Sequence, residues 1–385
     1  MERQIYLDNN ATTPLDPAVV KALQPYLYDR YGNASSVHHK GVEAEQAIDA
    51  QRRLIAHNLN VSPGEIYFTS GGTESNNLVL QGSVRRGMKK KQHIVTTAIE
   101  HSSVREVIDK LESRKIDVTR ILPDEKGRIS VGQITGALRE ETVLVSVMHV
   151  NNETGAILPV EDIGKAVHNY NSDITFHVDG VQAFGKYPVD LTYIDAYTFS
   201  GHKIHAPKGI GGLYIDEKCY VEPLLYGGGQ ESGVRSGTEN VPGIVGLGKA
   251  TELMFAEREK MLERLSSLRN LLVERLDGIA DVHLNTSLEH SLPSTLNVSF
   301  PPVPGEVIVN GMSEKGVCIS SGSACNARRK AKSHVLAAMG LEEKYIESSI
   351  RFSFSRQTGK TDINETFETL KELLPRLKKI ARLQS

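Results

Sequence analysis

The chain has 385 residues, enough for one large or two ordinary domains. Its formal net charge is −2 and 39% of its residues are hydrophobic, which gives no reason to expect a nucleic-acid or membrane surface. No apolar run approaches the ~18 residues of a membrane span, and we expect no signal peptide, because residues 1–4 lead directly into Ile5, Tyr6 and Leu7. Three cysteines do not make a disulfide framework, so we predict a reducing, cytoplasmic location.

Short strand-like segments alternate with longer amphipathic segments through the first half of the chain. We predict strands at residues 66–69, 93–97, 118–122, 143–147, 174–178, 193–199 and 212–215. We predict helices between them, including residues 42–59, 75–84, 103–111 and 160–170. This alternation predicts an α/β fold with a mostly parallel sheet covered on both faces. Ligands of such sheets bind beyond the carboxyl ends of the strands.

The pattern changes after Pro242. A long helix is predicted at 243–276, followed by strands at 294–300 and 350–354 and helices at 306–315 and 362–383. We interpret residues 16–255 as a large domain. Residues 256–385, joined by residues 1–15, form a predicted smaller α/β domain.

A lysine and an acid stand at the ends of two predicted strands. Lys203 follows a Ser-Gly-His turn, and Asp179 ends the strand before it. Chemistry with pyridoxal phosphate (PLP) needs a lysine amine to hold the aldehyde as a Schiff base and a carboxylate to keep the pyridine nitrogen protonated. The alternative is an ordinary surface lysine. The small and glycine residues around Lys203 suit the close approach of a ligand, so we predict a PLP site.

Residues 70–75 follow a predicted strand and open a helix. Their exposed backbone N–H groups, the helix dipole and the Thr73 hydroxyl are typical of a phosphate cradle, to which Ser200 and His202 can add donors. The segment is not a Walker loop, because the Gly-Lys-Ser/Thr ending is missing. A capped helix start with glycines is the alternative interpretation.

Three further polar side chains follow strand ends. His101 can stack on a planar ring and shuttle protons, although a surface histidine is the alternative. The amides of Asn152 and Gln182 can bind a cofactor hydroxyl or a substrate carboxylate, and a turn rich in Asn and Gly is the alternative for the first. We find no set of three ligands at convincing spacing and predict no metal site.

Cys325 lies in a small, polar, glycine-containing segment, which distinguishes it from an inert buried thiol. The basic residues of 328–332 favour the thiolate and so a nucleophile, whereas an incidental loop thiol is the alternative. Arg351 lies within a strand-like segment, where its guanidinium must find an anion. A substrate α-carboxylate fits it bidentately, and a structural ion pair is the alternative.

Together these segments resemble the PLP-dependent cysteine desulfurases of the class-V aminotransferase family, which supply sulfur for iron–sulfur clusters. The similarity covers essentially the whole chain. Its motifs are residues 6–13, 32–36, 69–75, 100–101, 149–153, 177–179, 200–203, 235–238, 321–325 and 350–352. The resemblance implies a fold of aspartate-aminotransferase type, with a large mostly parallel-sheet domain and a smaller α/β domain.

The resemblance implies a role for each cofactor residue. Lys203 would hold PLP and later move protons, Asp179 would pair with the pyridine nitrogen, and His101 would be the ring-stacking acid/base. The other implied cofactor ligands are Gly72, Thr73, Asn152, Gln182, Ser200, His202 and Thr238. Thr238 would come from the partner subunit of a homodimer.

The resemblance also implies the reaction. Arg351 would bind the carboxylate of L-cysteine, assisted by Asn33 and Asn152. Cys325 would attack the substrate sulfur, giving L-alanine and an enzyme persulfide. The sulfur would pass to an acceptor protein, for iron–sulfur cluster assembly or tRNA thiolation. An aminotransferase, a β-lyase and a selenocysteine lyase of the same fold are the alternatives.

Residues 326–332 depart from the family, which more often has small, hydroxylated and acidic residues there. The length of this segment matches the long-loop subgroup. We hypothesise that the basic segment 328–332 docks an acidic scaffold or carrier protein. A charge run that only tunes the Cys325 thiol is the alternative.

Overall fold

The structure, a computed structural model, describes residues 4–84, 91–322 and 332–384. Its strands are β1 Ile5–Tyr6, β2 Ile66–Thr69, β3 His93–Thr97, β4 Asp117–Ile121, β5 Thr142–Met148, β6 Thr175–Asp179, β7 Ala196–Ser200, β8 Gly211–Ile215, β9 His283–Leu284, β10 Thr295–Ser299, β11 Val317–Cys318 and β12 Ser349–Ser353. Its helices are α1 Pro17–Leu23, α2 His39–Leu59, α3 Gly72–Gly82, α4 Ser102–Glu112, α5 Val131–Ala137, α6 Val160–Tyr170, α7 Val241–Leu276, α8 Gly305–Glu314, α9 His334–Ala338, α10 Glu343–Glu347 and α11 Lys360–Gln384.

The largest sheet has seven strands in the order β2-β8-β7-β6-β5-β3-β4. Strand β8 runs antiparallel to both of its neighbours, so β2 points the same way as the remaining strands. All other pairs in this sheet are parallel. The carboxyl ends of β2, β3, β5, β6 and β7 therefore meet at one edge, and the predicted α/β class with a mostly parallel sheet is confirmed.

Helices α2, α3, α4, α5 and α6 pack against strands of this sheet. Helix α4 buries Val104, Val107, Ile108 and Leu111, which follow the i, i+3, i+4, i+7 spacing of an amphipathic helix. Packing of these stripes on the strands removes apolar surface from water, which is the main stabilising contribution. The loops that follow the strands are left free to carry polar side chains.

The predicted strand at 193–199 begins later than expected, at Ala196. Before it, Asp190 Oδ1 accepts from the backbone N–H of Thr192 at 3.0 Å, a turn that delays the extended backbone. The short elements β1, β9, β11, α5 and α10 were not anticipated, because two to seven residues give too little periodicity to recognise.

Two smaller sheets lie in the other half of the chain. Strands β12, β10 and β9 form an antiparallel sheet in that order, and β1 pairs with β11 in parallel. The N-terminal segment is thus joined to the later part of the chain, and Asp8 continues the connection by bridging to Ser353 on β12. Helix α7 runs unbroken through residue 255, and the domain boundary placed there remains a prediction.

No helix in the described ranges combines the length and the apolar character needed to cross a membrane.

Candidate active site

A cavity of about 310 Å³ opens at the carboxyl ends of the large sheet. Ten of the residues predicted from the sequence lie in its wall. They are Gly72, Thr73, His101, Asn152, Asp179, Gln182, Ser200, His202, Lys203 and Arg351. The sheet topology brings nine of them together, and Arg351 reaches the cavity from β12 of the smaller sheet.

Asp179 ends β6 and is only 4% exposed. Its Oδ1 accepts from the backbone N–H of Val181 at 3.0 Å, and its Oδ2 accepts from Nδ2 of Asn76 at 2.8 Å. These two bonds fix the orientation of the carboxyl group of Asp179, at the position predicted to face a pyridine nitrogen. The sequence reasoning missed Asn76, which lies one turn into α3.

Lys203 follows β7 in a short 3₁₀ turn, Gly201–Lys203. Its Nζ donates to the backbone carbonyl oxygens of Asn10 at 2.6 Å and Ala11 at 2.8 Å. These carbonyls hold the amine in the cavity wall. Both carbonyls belong to the motif at residues 6–13.

A second lysine lies beside this amine. Lys186 is 7% exposed, and its Nζ donates to Oε1 of Gln182 at 3.2 Å. Burial, with a smaller effect from the charge of Lys203, lowers the pKa of Lys186 to about 7. The Nε2 of Gln182 donates to the carbonyl of Asn10 at 3.0 Å, so the orientation of this carboxamide is set from both ends.

His101 is the residue before α4 and caps it, because its Nδ1 accepts from the backbone N–H of Ser103 at 3.2 Å. Its Nδ1 also lies 2.8 Å from the hydroxyl of Ser103. Burial lowers the pKa of His101, and the nearby charge of Asp179 opposes this effect. The ring is therefore held neutral and close to the acid.

The start of α3 has the features of an anion site. Gly71 precedes the helix with φ 150°, and no side chain caps the first turn. A Cβ at Gly72 would lie 2.6 Å from Cγ2 of Val181, so only glycine lets the backbone approach here. The carboxylate of Glu74 is neutralised by Arg235 at 2.7 Å and does not repel an anion. The helix dipole and free N–H groups favour phosphate at this end.

His202 and Thr73 also line the cavity. Burial, followed by the charges of Lys203 and Lys208, lowers the pKa of His202 to about 4. A neutral imidazole acts as a hydrogen-bond donor or acceptor rather than as a counter-charge. The predicted cradle would therefore bind a phosphate mainly through oriented N–H and hydroxyl donors.

Arg351 is 2% exposed and makes two contacts through its terminal nitrogens. Its Nη2 lies 2.7 Å from Oδ1 of Asp8, and its Nη1 donates to the carbonyl of Asn152 at 2.9 Å. Its Nε is buried and has no partner among the described residues. The guanidinium has an ion pair, as the alternative interpretation expected. The two contacts use two of its five N–H groups, and the remaining terminal N–H groups, with a place in the cavity wall, are left for the predicted substrate carboxylate.

Two predicted residues are not brought to the cavity within this chain. Asn33 is exposed, and its Oδ1 accepts from the backbone N–H of Ser35 at 2.9 Å. Thr238 is exposed in the segment that precedes α7. Their roles remain predictions. Cys325 and most of the basic segment 328–332 lie outside the described residues, although Lys332 is described and pairs with Glu347 at 3.0 Å and with Glu343.

Other cavity residues were not proposed from the sequence. Among them, Asn10, Ser103, Glu153 and His334 belong to the wall. Asn10 and Glu153 lie in motifs of the family resemblance, which was a usable signal, whereas Ser103 and His334 are brought to the wall only by tertiary packing. In residues 4–84, 91–322 and 332–384, no group of three or more His, Cys, Asp and Glu side chains can hold a metal ion.

The donor set fits PLP. An uncapped helix start suits the phosphate, the carboxylate of Asp179 suits a protonated pyridine nitrogen, and the amine of Lys203 suits an aldehyde carbon. The fold and the site together define a PLP-dependent enzyme of the α/β class.

Comparison with known proteins agrees with this assignment to the PLP-dependent enzymes. The family model for class-V aminotransferases matches residues 5–365. A cysteine desulfurase of Nostoc sp. is 43% identical over 380 residues, which are 98% of this chain and 94% of that protein. A solved NifS-like protein superposes with a TM-score of 0.92 at 38% identity and covers 97% of this chain and 100% of its own. The chain belongs to the cysteine desulfurases of the class-V aminotransferase family.

A second solved structure, described as SspA in complex with cysteine, has a TM-score of 0.81 and is 37% identical. The similarity covers 91% of this chain and 99% of that one. The predicted family, fold and cofactor are thereby confirmed, and the protein is a PLP-dependent enzyme.

Proposed function

We propose that the protein converts L-cysteine to L-alanine and takes up the sulfur on Cys325 as a persulfide. The observation that carries the proposal is the single cavity in which Lys203, Asp179 and Arg351 converge. Relatives named cysteine desulfurase support the reaction, and a related structure is described with cysteine bound. Cys325 itself is proposed from the sequence, because it lies outside the described residues.

When bound, PLP withdraws electrons from the α-carbon of an amino acid. The residues of this chain would orient the ring, bind the substrate and move protons. Asp179 would pair with the ring nitrogen, and its two oxygens are oriented for this by the N–H groups of Val181 and Asn76. The terminal N–H groups of Arg351 would receive the substrate carboxylate at the cavity wall. Lys203 moves the proton at the α-carbon, and His101 serves as the second proton-transfer group at the cavity wall.

The transfer step balances without an added oxidant or reductant. The thiolate of Cys325 forms an S–S bond with the substrate sulfur, and the bond between that sulfur and the β-carbon breaks. Its electron pair stays on the β-carbon, which is then protonated. One thiol and L-cysteine thus give one persulfide and L-alanine. The thiolate is the attacking form, and the basic residues of 328–332 favour it.

Mass spectrometry after a single turnover tests this proposal. We expect the Cys325 peptide to gain one sulfur, with one alanine formed per sulfur. The Cys325→Ser variant should make neither, whereas the matched control Cys219→Ser should behave as the wild type. Undiminished sulfide release by Cys325→Ser would identify a β-lyase. Consumption of an added 2-oxo acid would instead identify an aminotransferase, and preference for selenocysteine a selenocysteine lyase.

The proposal includes a homodimer, in which Thr238 of each subunit completes the phosphate site of the other. It also includes a cytoplasmic location and transfer of the persulfide sulfur to an acceptor protein, for iron–sulfur clusters or tRNA thiolation. The exposure of Thr238 and Asn33 on this chain supports the dimer, since both are free to face a second subunit.

We further propose that the basic segment 328–332 docks an acidic scaffold or carrier protein. The ion pairs of Lys332 with Glu343 and Glu347 leave Arg328, Arg329 and Lys330 as the charges to test. Charge reversal of these three should slow sulfur transfer to an acidic acceptor but not alanine formation with a small thiol. A matched reversal of the exposed Lys110, Arg114 and Lys115 is the control. Equal transfer by both variants removes the docking role.

A further inference from the structure

Four polar side chains form a continuous hydrogen-bonded chain between Asp179 and His101. The Nδ2 of Asn76 lies 2.8 Å from Oδ2 of Asp179 and 2.8 Å from Oγ of Ser103. The Oγ of Ser103 lies 2.8 Å from Nδ1 of His101. Asn76 is completely buried, so these bonds are shielded from water and each constrains the next more strongly.

The direction of the first two hydrogen bonds follows from which atoms can donate and which can only accept. A carboxylate oxygen of Asp179 only accepts, so the amide nitrogen of Asn76 must face it. The Oδ1 of Asn76 has no partner among the described residues, as expected when two donated bonds orient the carboxamide. The second N–H of Asn76 is therefore donated to Ser103, whose oxygen accepts it.

The direction of the third bond decides the state of His101. Because the oxygen of Ser103 already accepts from Asn76, its own hydrogen is available to Nδ1 of His101. The backbone N–H of Ser103 donates to the same nitrogen at 3.2 Å. With two donors facing it, Nδ1 has no proton of its own. The neutral ring then has its proton on Nε2.

We propose that Ser103 is a positioning residue that fixes the Nε2-protonated tautomer of His101 and links this ring through Asn76 to Asp179. The inference rests on the proposed function, in which His101 is a proton-transfer group. Since Nδ1 is occupied at the start of α4, Nε2 is the ring nitrogen left for the reaction. His101 therefore enters turnover as a neutral ring that donates a hydrogen bond from Nε2.

Several charged or titratable groups face the same ring. Asp179 favours protonation of His101, whereas Lys203, His334 and Arg105 oppose it. The His334 ring donates from Nε2 to the carbonyl of Glu100 at 3.0 Å, which fixes its place beside the cavity. Ser103 is uncharged, so its replacement leaves all of these charges in place. A change in the pH profile of such a variant then reports the lost hydrogen bond.

Nitrogen-15 NMR of ring-labelled histidine tests the inference without relying on activity. The His101 signals are assigned with His101→Gln, in protein with and without PLP. We expect the wild type to show one tautomer, protonated on Nε2. The Ser103→Ala variant should show a mixture of both tautomers, Ser103→Thr should restore one, and the neighbouring control Ser102→Ala should match the wild type.

Kinetics provide the second measurement. In Ser103→Ala, kcat for alanine formation should fall about 2- to 10-fold, the effect of one lost hydrogen bond, with an unchanged KM for L-cysteine and a displaced pH profile. Ser103→Thr should recover both. A wild-type ring protonated on Nδ1, or a Ser103→Ala variant that keeps the tautomer and the pH profile, overturns the inference. If the tautomer is as expected but no alanine forms, the proposed function fails and the inference on Ser103 stands.

Discussion

The Nη2 atom of Arg351 lies 2.7 Å from Oδ1 of Asp8, although 343 positions separate the two residues along the chain. This contact joins the N-terminal segment to β12 and neutralises a guanidinium that is only 2% exposed. The pair fixes the group that we propose to receive the substrate carboxylate. Its partner was not foreseen, because nothing local in the sequence connects the two residues.

Replacing Asp8 with Ala should destabilise the protein. Removal of one member of a buried ion pair leaves the other charge without compensation, and we expect the free energy of unfolding to fall by about 3 kcal/mol. Urea denaturation measures this change. The control is Asp117→Ala, which breaks the exposed pair with Arg139, also 2.7 Å long. It should cost less than about 1 kcal/mol. Equal losses would show that burial of Arg351 has no energetic consequence.

Lys203→Ala should abolish turnover while the fold is kept. Without this amine the cofactor is no longer tethered and the α-carbon proton has no carrier, so we expect alanine formation to fall by about 10²- to 10⁴-fold. The absorbance of the bound cofactor should be lost on dialysis. Lys208→Ala is the matched control, since Lys208 is an exposed lysine of the same segment. Retained activity in Lys203→Ala would remove this lysine from the mechanism.

Lys186 should make stability depend on pH. Its pKa is about 7 in the folded protein and 10.5 as a reference value, so between these values the unfolded chain binds more protons. Stability therefore rises with pH through this window, and the cost of burying the charge is complete below pH 7. We expect the wild type to gain up to about 1.4 kcal/mol per pH unit relative to Lys186→Met.

Urea denaturation at pH 6, 7, 8 and 9 measures this dependence. The variant Lys165→Met, which changes an exposed lysine of α6, should follow the wild type at every pH. Parallel curves for the wild type and Lys186→Met would mean that Lys186 titrates in the folded protein as it does in the unfolded chain.

Thr238 should act on the partner subunit. Thr238→Val removes the hydroxyl, and we expect a loss of PLP affinity of about 2- to 10-fold. Dimers that combine one Thr238→Val subunit with one Lys203→Ala subunit contain one site with both residues intact. Mixing the two variants should therefore restore tight PLP binding at one of the two sites of each mixed dimer, measured by cofactor retained on gel filtration. If Thr238 serves its own subunit, mixing restores nothing.

The sequence was most informative where local periodicity and strand ends coincide with chemistry. Strands β2 and β3 lie at the predicted residues, and ten predicted site residues line one cavity. The reason is topological, because parallel strands place their carboxyl ends at one edge. Once the strands are recognised, residues that follow them, such as Asp179 and Lys203, must lie close together.

The contacts that the sequence did not predict depend on long-range packing or on a second chain. Asn76 and Ser103 lie on different helices, and only the packing of α3 against α4 brings their side chains within 2.8 Å. Asp8 meets Arg351 because β1 is joined to the small sheets. Thr238 and Asn33 are exposed on this chain, where a single subunit offers them no cavity.

The proposed anchor for the substrate and the proposed tether for the cofactor belong to separate sheets, since Arg351 lies on β12 and Lys203 follows β7. Substitutions around β12 can therefore change which amino acid binds, while the cofactor site at the end of the large sheet stays unchanged. Such modularity gives a physical route by which one scaffold diversifies into catalysts with different substrates.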